Sequence, residues 1–154
     1  GSQIATITSA GIVMESGKTL AGTATSAQYA DLAEMYAATS NEAMAPGTVV
    51  MFSGGGEVSV CDVDACGAVA GIVSTDPAYL MNSDQSGAPL ALAGRVPCKV
   101  YGPVRKGDVL IASSKPGHAK AAPFRGYQTP AACIVGKAIS QHSGMAEGIV
   151  EILV

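Results

Sequence analysis

Tryptophan is missing from this 154-residue chain, only two histidines occur, and charged side chains make up just 14% of it. Each shortage argues against a class of function. The nine Lys and Arg residues are scattered and the net charge is −3. The basic stripe that phosphate-backbone binding needs is therefore missing, which argues against nucleic acid as a partner. No apolar run reaches the roughly 18 residues of a membrane span, so membrane insertion is not expected. Without tryptophan for sugar stacking, a paired-carboxylate glycan hydrolase is a poor fit. The Gly-x-Ser-x-Gly elbow, the phosphate-binding Gly-x4-Gly-Lys-Ser/Thr loop and His-Glu-x-x-His are all missing. His118 and His142 fall in predicted loops and are read as surface residues; no metal and no cofactor is expected.

Hydrophobic residues make up 48% of the chain, which argues against disorder. So few charges leave little to keep a lone subunit's surface wet, a hint that another chain covers some apolar surface. Nineteen glycines and eight prolines predict many turns and short strands.

The texture changes along the chain. Gly1-Ser2 reads as the scar of a cloning tag. Residues 1–28 read as a thin shaft or linker segment, rich in small polar residues, with Ile4, Ile7 and Ile12 spaced along its first half. A segment this thin lacks a core of its own, but identical chains wrapped around one another can share one. Residues 29–154 read as a β-rich globular tip domain. Its opening stretch, 28–45, is ambiguous. Tyr29, Leu32, Ala33 and Tyr36 fit a helical face with Ser26 as a cap, yet the same residues also fit a strand. Beyond Pro46-Gly47, strands are predicted at 48–52, 57–61, 68–73, 90–92, 96–101, 109–112, 132–139 and 148–154. Glycine-rich turns separate them. Val96, Cys98 and Val100 alternate with Pro97, Lys99 and Tyr101, the pattern of a half-buried strand. The fold class expected is mainly β, a small barrel or sandwich of short strands.

Three places carry possible chemistry. Asp31 and Glu34 would share one face of a helix, where crowding raises one carboxyl's pKa for acid–base work. On a strand the odd offset sends them to opposite faces. Asn82, Ser83 and Asp84 open a polar loop that follows Tyr79 and Met81. A loop of this kind on a rigid scaffold suits receptor contact, and Tyr79 or Met81 would equally suit a subunit interface. Cys61 and Cys66 flank the short loop Asp62-Val63-Asp64-Ala65. A disulfide across it is geometrically possible; reduced, buried thiols are the favoured reading. Asp62 and Asp64 are too few oxygens for calcium and read as turn residues.

The segment from Gly22 to Glu34, with Tyr29-Ala30-Asp31-Leu32-Ala33-Glu34 at its end, resembles the junction between shaft and terminal domain in bacteriophage tail fibres. Pro46-Gly47-Thr48-Val49-Val50, the run from Ala70 to Asn82, the run from Ala91 to Val100, Lys106-Gly107-Asp108 and Gly136-Lys137-Ala138 follow in that family's order. The series is also similar to the autoproteolytic intramolecular-chaperone domain of phage neck-appendage proteins, whose Asp-x-Ala-Glu motif is matched by Asp31, Ala33 and Glu34. The resemblance covers residues 20–154 and implies a β-rich homotrimer in the virion, assembled in the host cytoplasm beside other tail-fibre segments. The cytoplasm is reducing, which favours free thiols. The function expected is a structural module that trimerises, caps the fibre and contacts a host surface receptor through Tyr79, Met81, Asn82, Ser83 and Asp84. The alternative is a self-cleaving chaperone domain, with the cut near Ser26 and Asp31 and Glu34 assisting. Outside that alternative no enzyme activity is expected.

Overall fold

A computed structural model describes residues 5–8, 11–14, 31–39, 44–53, 55–123 and 129–154. The protein is mainly β. Twelve strands run through the described residues: β1 (Ala5–Thr8), β2 (Gly11–Met14), β3 (Asp31–Tyr36), β4 (Val49–Phe52), β5 (Val58–Val60), β6 (Val69–Ile72), β7 (Tyr79–Met81), β8 (Ala88–Tyr101), β9 (Val109–Ala112), β10 (Ala119–Ala121), β11 (Ile134–Ala138) and β12 (Glu147–Leu153). A 3-10 turn, Ala131–Cys133, leads into β11.

Five strands close into a barrel. β8 pairs antiparallel with β12, β12 with β11, β11 with β9 and β9 with β10. The ring shuts where β10 lies parallel to β8, Ala119 against Val100. Alternation along β8 and β12 fills it. Val96, Cys98 and Val100 of β8 and Val150 and Ile152 of β12 point inward, meeting Leu110, Ala112, Ala119, Val135 and Ala138. Arg95, Pro97, Lys99 and Tyr101 lie outward beside Leu153, Glu151, Ile149 and Glu147. Burying each Val or Ile contributes about 1.5–3 kcal/mol, so this interior is the main source of cohesion.

β8 is the spine of the molecule. Its second half belongs to the barrel and its first half pairs with β3, from Asp31↔Gly94 to Tyr36↔Ala88. Within that first half Leu92 is left over where the register shifts, and the inward set changes sides there. β7 lies parallel to β3 and forms the outer edge of the sheet. A second, three-stranded sheet in the order β5-β4-β6 packs against both, with Val50, Val58, Val73, Ala88 and Leu90 forming a small second core. The Pro46-Gly47 turn tethers it: Lys99 N donates to Gly47 O at 2.9 Å, and Gly47 N to Val73 O at 2.8 Å.

The helical option for the stretch after residue 28 is not taken where the structure describes it. Residues 31–36 are extended because β7 and β8 offer hydrogen-bond partners on both edges. The two runs predicted at 90–92 and 96–101 are one 14-residue strand. Near the start of the chain, β1 and β2 form an antiparallel hairpin, Ala5↔Met14 to Thr8↔Gly11, that pairs with no other described strand. Cys61, Cys66, Cys98 and Cys133 are all free and buried.

Candidate functional site

β3 decides which of the candidate residues can meet. Alternation along a strand sends Asp31, Ala33 and Met35 to one face and Leu32, Glu34 and Tyr36 to the other. Asp31 is buried; its backbone carbonyl accepts from Ala78 N at 2.9 Å and its Oδ2 has no partner among the described residues. Glu34 faces away from it, so within one chain the two carboxylates do not converge. Ser26 lies outside the described residues.

Glu34 instead meets the polar loop. The parallel register sets Met81 of β7 against Glu34, which brings the next residue, Asn82, within reach. Asn82 takes a left-handed conformation, φ +52°, which asparagine tolerates better than most residues. Its Nδ2 donates to Glu34 Oε1 at 2.6 Å, and the Tyr36 hydroxyl donates to Glu34 Oε2 at 3.1 Å. Gln85 N closes the turn on Asn82 O at 2.9 Å. From the other side, Glu57 Oε2 accepts from Ala37 N at 2.7 Å. The result is an open cleft of about 580 Å³ lined by Glu34, Met35, Tyr36, Glu57, Asn82, Ser83, Asp84 and Gln85.

Two groups of residues predicted for different roles, Glu34 and the Asn82–Asp84 loop, thus share one wall. Tyr79 and Met81 sit on the edge strand beside it, Tyr79 65% exposed and Met81 half-buried. Sequence reasoning did not foresee Glu57 at this site. It follows Gly54-Gly55-Gly56, a turn signal that says nothing about which distant strand the next carboxylate will face.

Among the described residues the lining has three carboxylates and no Lys, Arg, His or Cys. It can accept hydrogen bonds from hydroxyl, amide or ammonium donors. His118 and His142 lie elsewhere: His118 Nδ1 is 2.7 Å from Pro116 O, and the His142 ring packs over Gly144 and Gly148.

Burial pushes the Tyr36 hydroxyl above its usual value, and the hydrogen bond to Glu34 and that carboxylate's charge push it further. A folded-state pKa raised for an acid favours the neutral form. This contribution to stability is present below about pH 10 and is lost as pH rises through the folded-state value. In Glu34→Gln, Tyr36 is expected to ionise at lower pH than in the parent chain, read from phenolate ultraviolet absorbance. An unchanged titration curve would show that Glu34 does not hold the hydroxyl.

No family model matches the chain, and no curated protein or solved structure matches it either.

Proposed function

We propose that this chain is a structural module of a bacteriophage tail fibre that assembles as a homotrimer, caps the fibre and presents the cleft beside Glu34 and Asn82 to a host surface receptor. The observation that carries the reading is the outer surface of the barrel. On β12, Ile149 is 67% and Leu153 51% exposed, and on β8 Tyr101 is 47% exposed. Ile149 and Tyr101 are diagonal neighbours on the same face of the β8–β12 pair. Large apolar side chains left exposed on one face, rimmed by Arg95, Lys99, Glu147 and Glu151, are what a subunit interface would cover. The β1–β2 hairpin supports the same reading, since two strands alone are at best marginally stable in water and gain from a shared core.

The self-cleaving alternative needs Asp31 and Glu34 at one peptide bond. Strand alternation in β3 opposes that within a single chain, so the structural role is preferred.

Substituting Ile149→Glu together with Leu153→Glu tests the reading. Both side chains point out of the barrel, so the fold itself should tolerate the change, with far-ultraviolet circular dichroism unaltered. The sedimentation coefficient is expected to fall to that of a single chain. An assembly that sediments unchanged would exclude this face as the subunit contact.

A further inference from the structure

We propose that a cavity between the barrel and the three-stranded sheet binds a small monocarboxylate with an apolar body, anchored by the Lys99 ammonium. The cavity holds about 360 Å³. It lies where β8, the turn before β4, strand β5 and the loop between β9 and β10 meet. Lys99 and Thr48 form its polar side, while Met44, Val60 and Pro116 give it apolar walls. A few polar groups set in a mostly apolar hollow are what a small ligand needs.

Lys99 is the reason to expect an anion. It is half-buried, and its Nζ donates to Thr48 Oγ1 at 2.8 Å. Thr48 is only 5% exposed, so this partner is fixed, and it is neutral. Among the described residues Lys99 forms no ion pair. Glu147, diagonal to it across β12, is taken by Lys115 Nζ at 2.6 Å. A half-buried ammonium in this position keeps two N–H donors and an unmatched charge. The Thr48 hydroxyl accepts from Lys99, so its own proton remains to be donated. One carboxylate can take an N–H from Lys99 and the O–H from Thr48 together. A phosphate dianion calls for several cations or a row of backbone N–H groups, and one ammonium serves it poorly.

The walls are held in place by backbone bonds. Thr48 O accepts from Val73 N at 3.0 Å, and Gly117 is pinned from both sides: its N donates to Cys61 O at 2.8 Å and its O accepts from Val49 N at 2.9 Å. Gly117 has φ +71°, and a Cβ there would come within 2.9 Å of Thr48 Cγ2 and 3.5 Å of Val60 Cγ1. A side chain at 117 would thus take up space beside two lining residues, and glycine leaves it open. The described lining comes from one chain and none of it from β12, so the inference does not rest on the trimer.

The test titrates the full chain near neutral pH with two acids and follows its backbone amides by nuclear magnetic resonance. Butyrate stands for a free short-chain acid, and the methyl glycoside of N-acetylneuraminic acid for an acidic sugar of a cell surface. At least one should give saturable shifts at Thr48, Lys99 and Gly117, and the one that saturates at lower concentration identifies the source. The neutral counterparts, butyramide and the methyl ester of the sugar acid, should shift none of the three. Lys99→Met keeps an apolar stem without the charge and should abolish the shifts. Thr48→Val keeps the shape without the hydroxyl and should weaken binding ~10-fold, the loss of one hydrogen bond to a charged group. Equal shifts with charged and neutral probes would overturn the proposal. So would shifts that survive in Lys99→Met, or no saturable shift with either acid up to ~10 mM. The neutral probes need no variant, so they decide the matter even if Lys99→Met fails to fold.

Discussion

Gly87→Ala is expected to destabilise the protein by roughly 3–5 kcal/mol, the upper end of what a single substitution does. Gly87 ends the polar loop just before β8 and has φ +149°, where L side chains are strained. A Cβ there would overlap the carbonyl oxygen of Tyr36 and come within 2.8 Å of its carbonyl carbon and 3.0 Å of Ala37 Cα. All three atoms are backbone, so no side chain can swing away. Relief requires separating the start of β8 from the end of β3, where Tyr36 pairs with Ala88. Gly102→Ala separates strain from collision. Gly102 has φ +83° and nothing within 4 Å of the added carbon, so only the conformational cost, about 1 kcal/mol, should appear. Urea unfolding of both variants at one protein concentration measures the difference. Equal losses would mean that the β3–β8 junction yields readily.

The second large effect is predicted for the barrel interior. Ile152→Ala should cost about 3 kcal/mol, within the range of 2–5 for emptying a buried isoleucine site. Ile152 is fully buried, pairs with Val96 on one side and Ala138 on the other, and extends its Cδ1 over Gly136. A closed ring of five strands has little freedom to collapse on the hole, so most of the cavity should persist. The unfolding midpoint should fall by roughly 6–12 °C, from ~2–4 °C per kcal/mol in a chain of this size. A fall no larger than about 2 °C would mean that the ring repacks and that its closure is less rigid than its hydrogen bonding implies.

Much of the barrel was legible in the sequence because its strands alternate. Val96–Val100 and the final strand each present an inward and an outward set, and glycine turns mark their ends. The legibility fails where alternation does. Ala93-Gly94-Arg95 breaks the apolar pattern and divides one long strand into two expected runs, because a register shift with an extra residue has no composition signature. β10 is only Ala119-Lys120-Ala121, residues with little strand preference, held by neighbours on both sides. β7 reads as the approach to a loop, since the three residues Tyr79-Leu80-Met81 ahead of Asn82 are too few to show a period.

Residues 31–36 suited helix and strand equally, and only the flanking strands decide between them. The cleft was half legible. Asn82, Ser83, Asp84 and Glu34 were singled out for their chemistry, but the Glu34–Asn82 bond spans 48 positions and depends on parallel pairing of β3 with β7. Such a contact follows from register, which local pattern does not carry.

The central claim is that three copies complete this molecule's surface, and the mass of the unmodified chain in solution tests it most directly. Light scattering across a size-exclusion peak at micromolar concentration should give three times the 15.3 kDa chain mass. A sharp peak at the mass of one chain would contradict it.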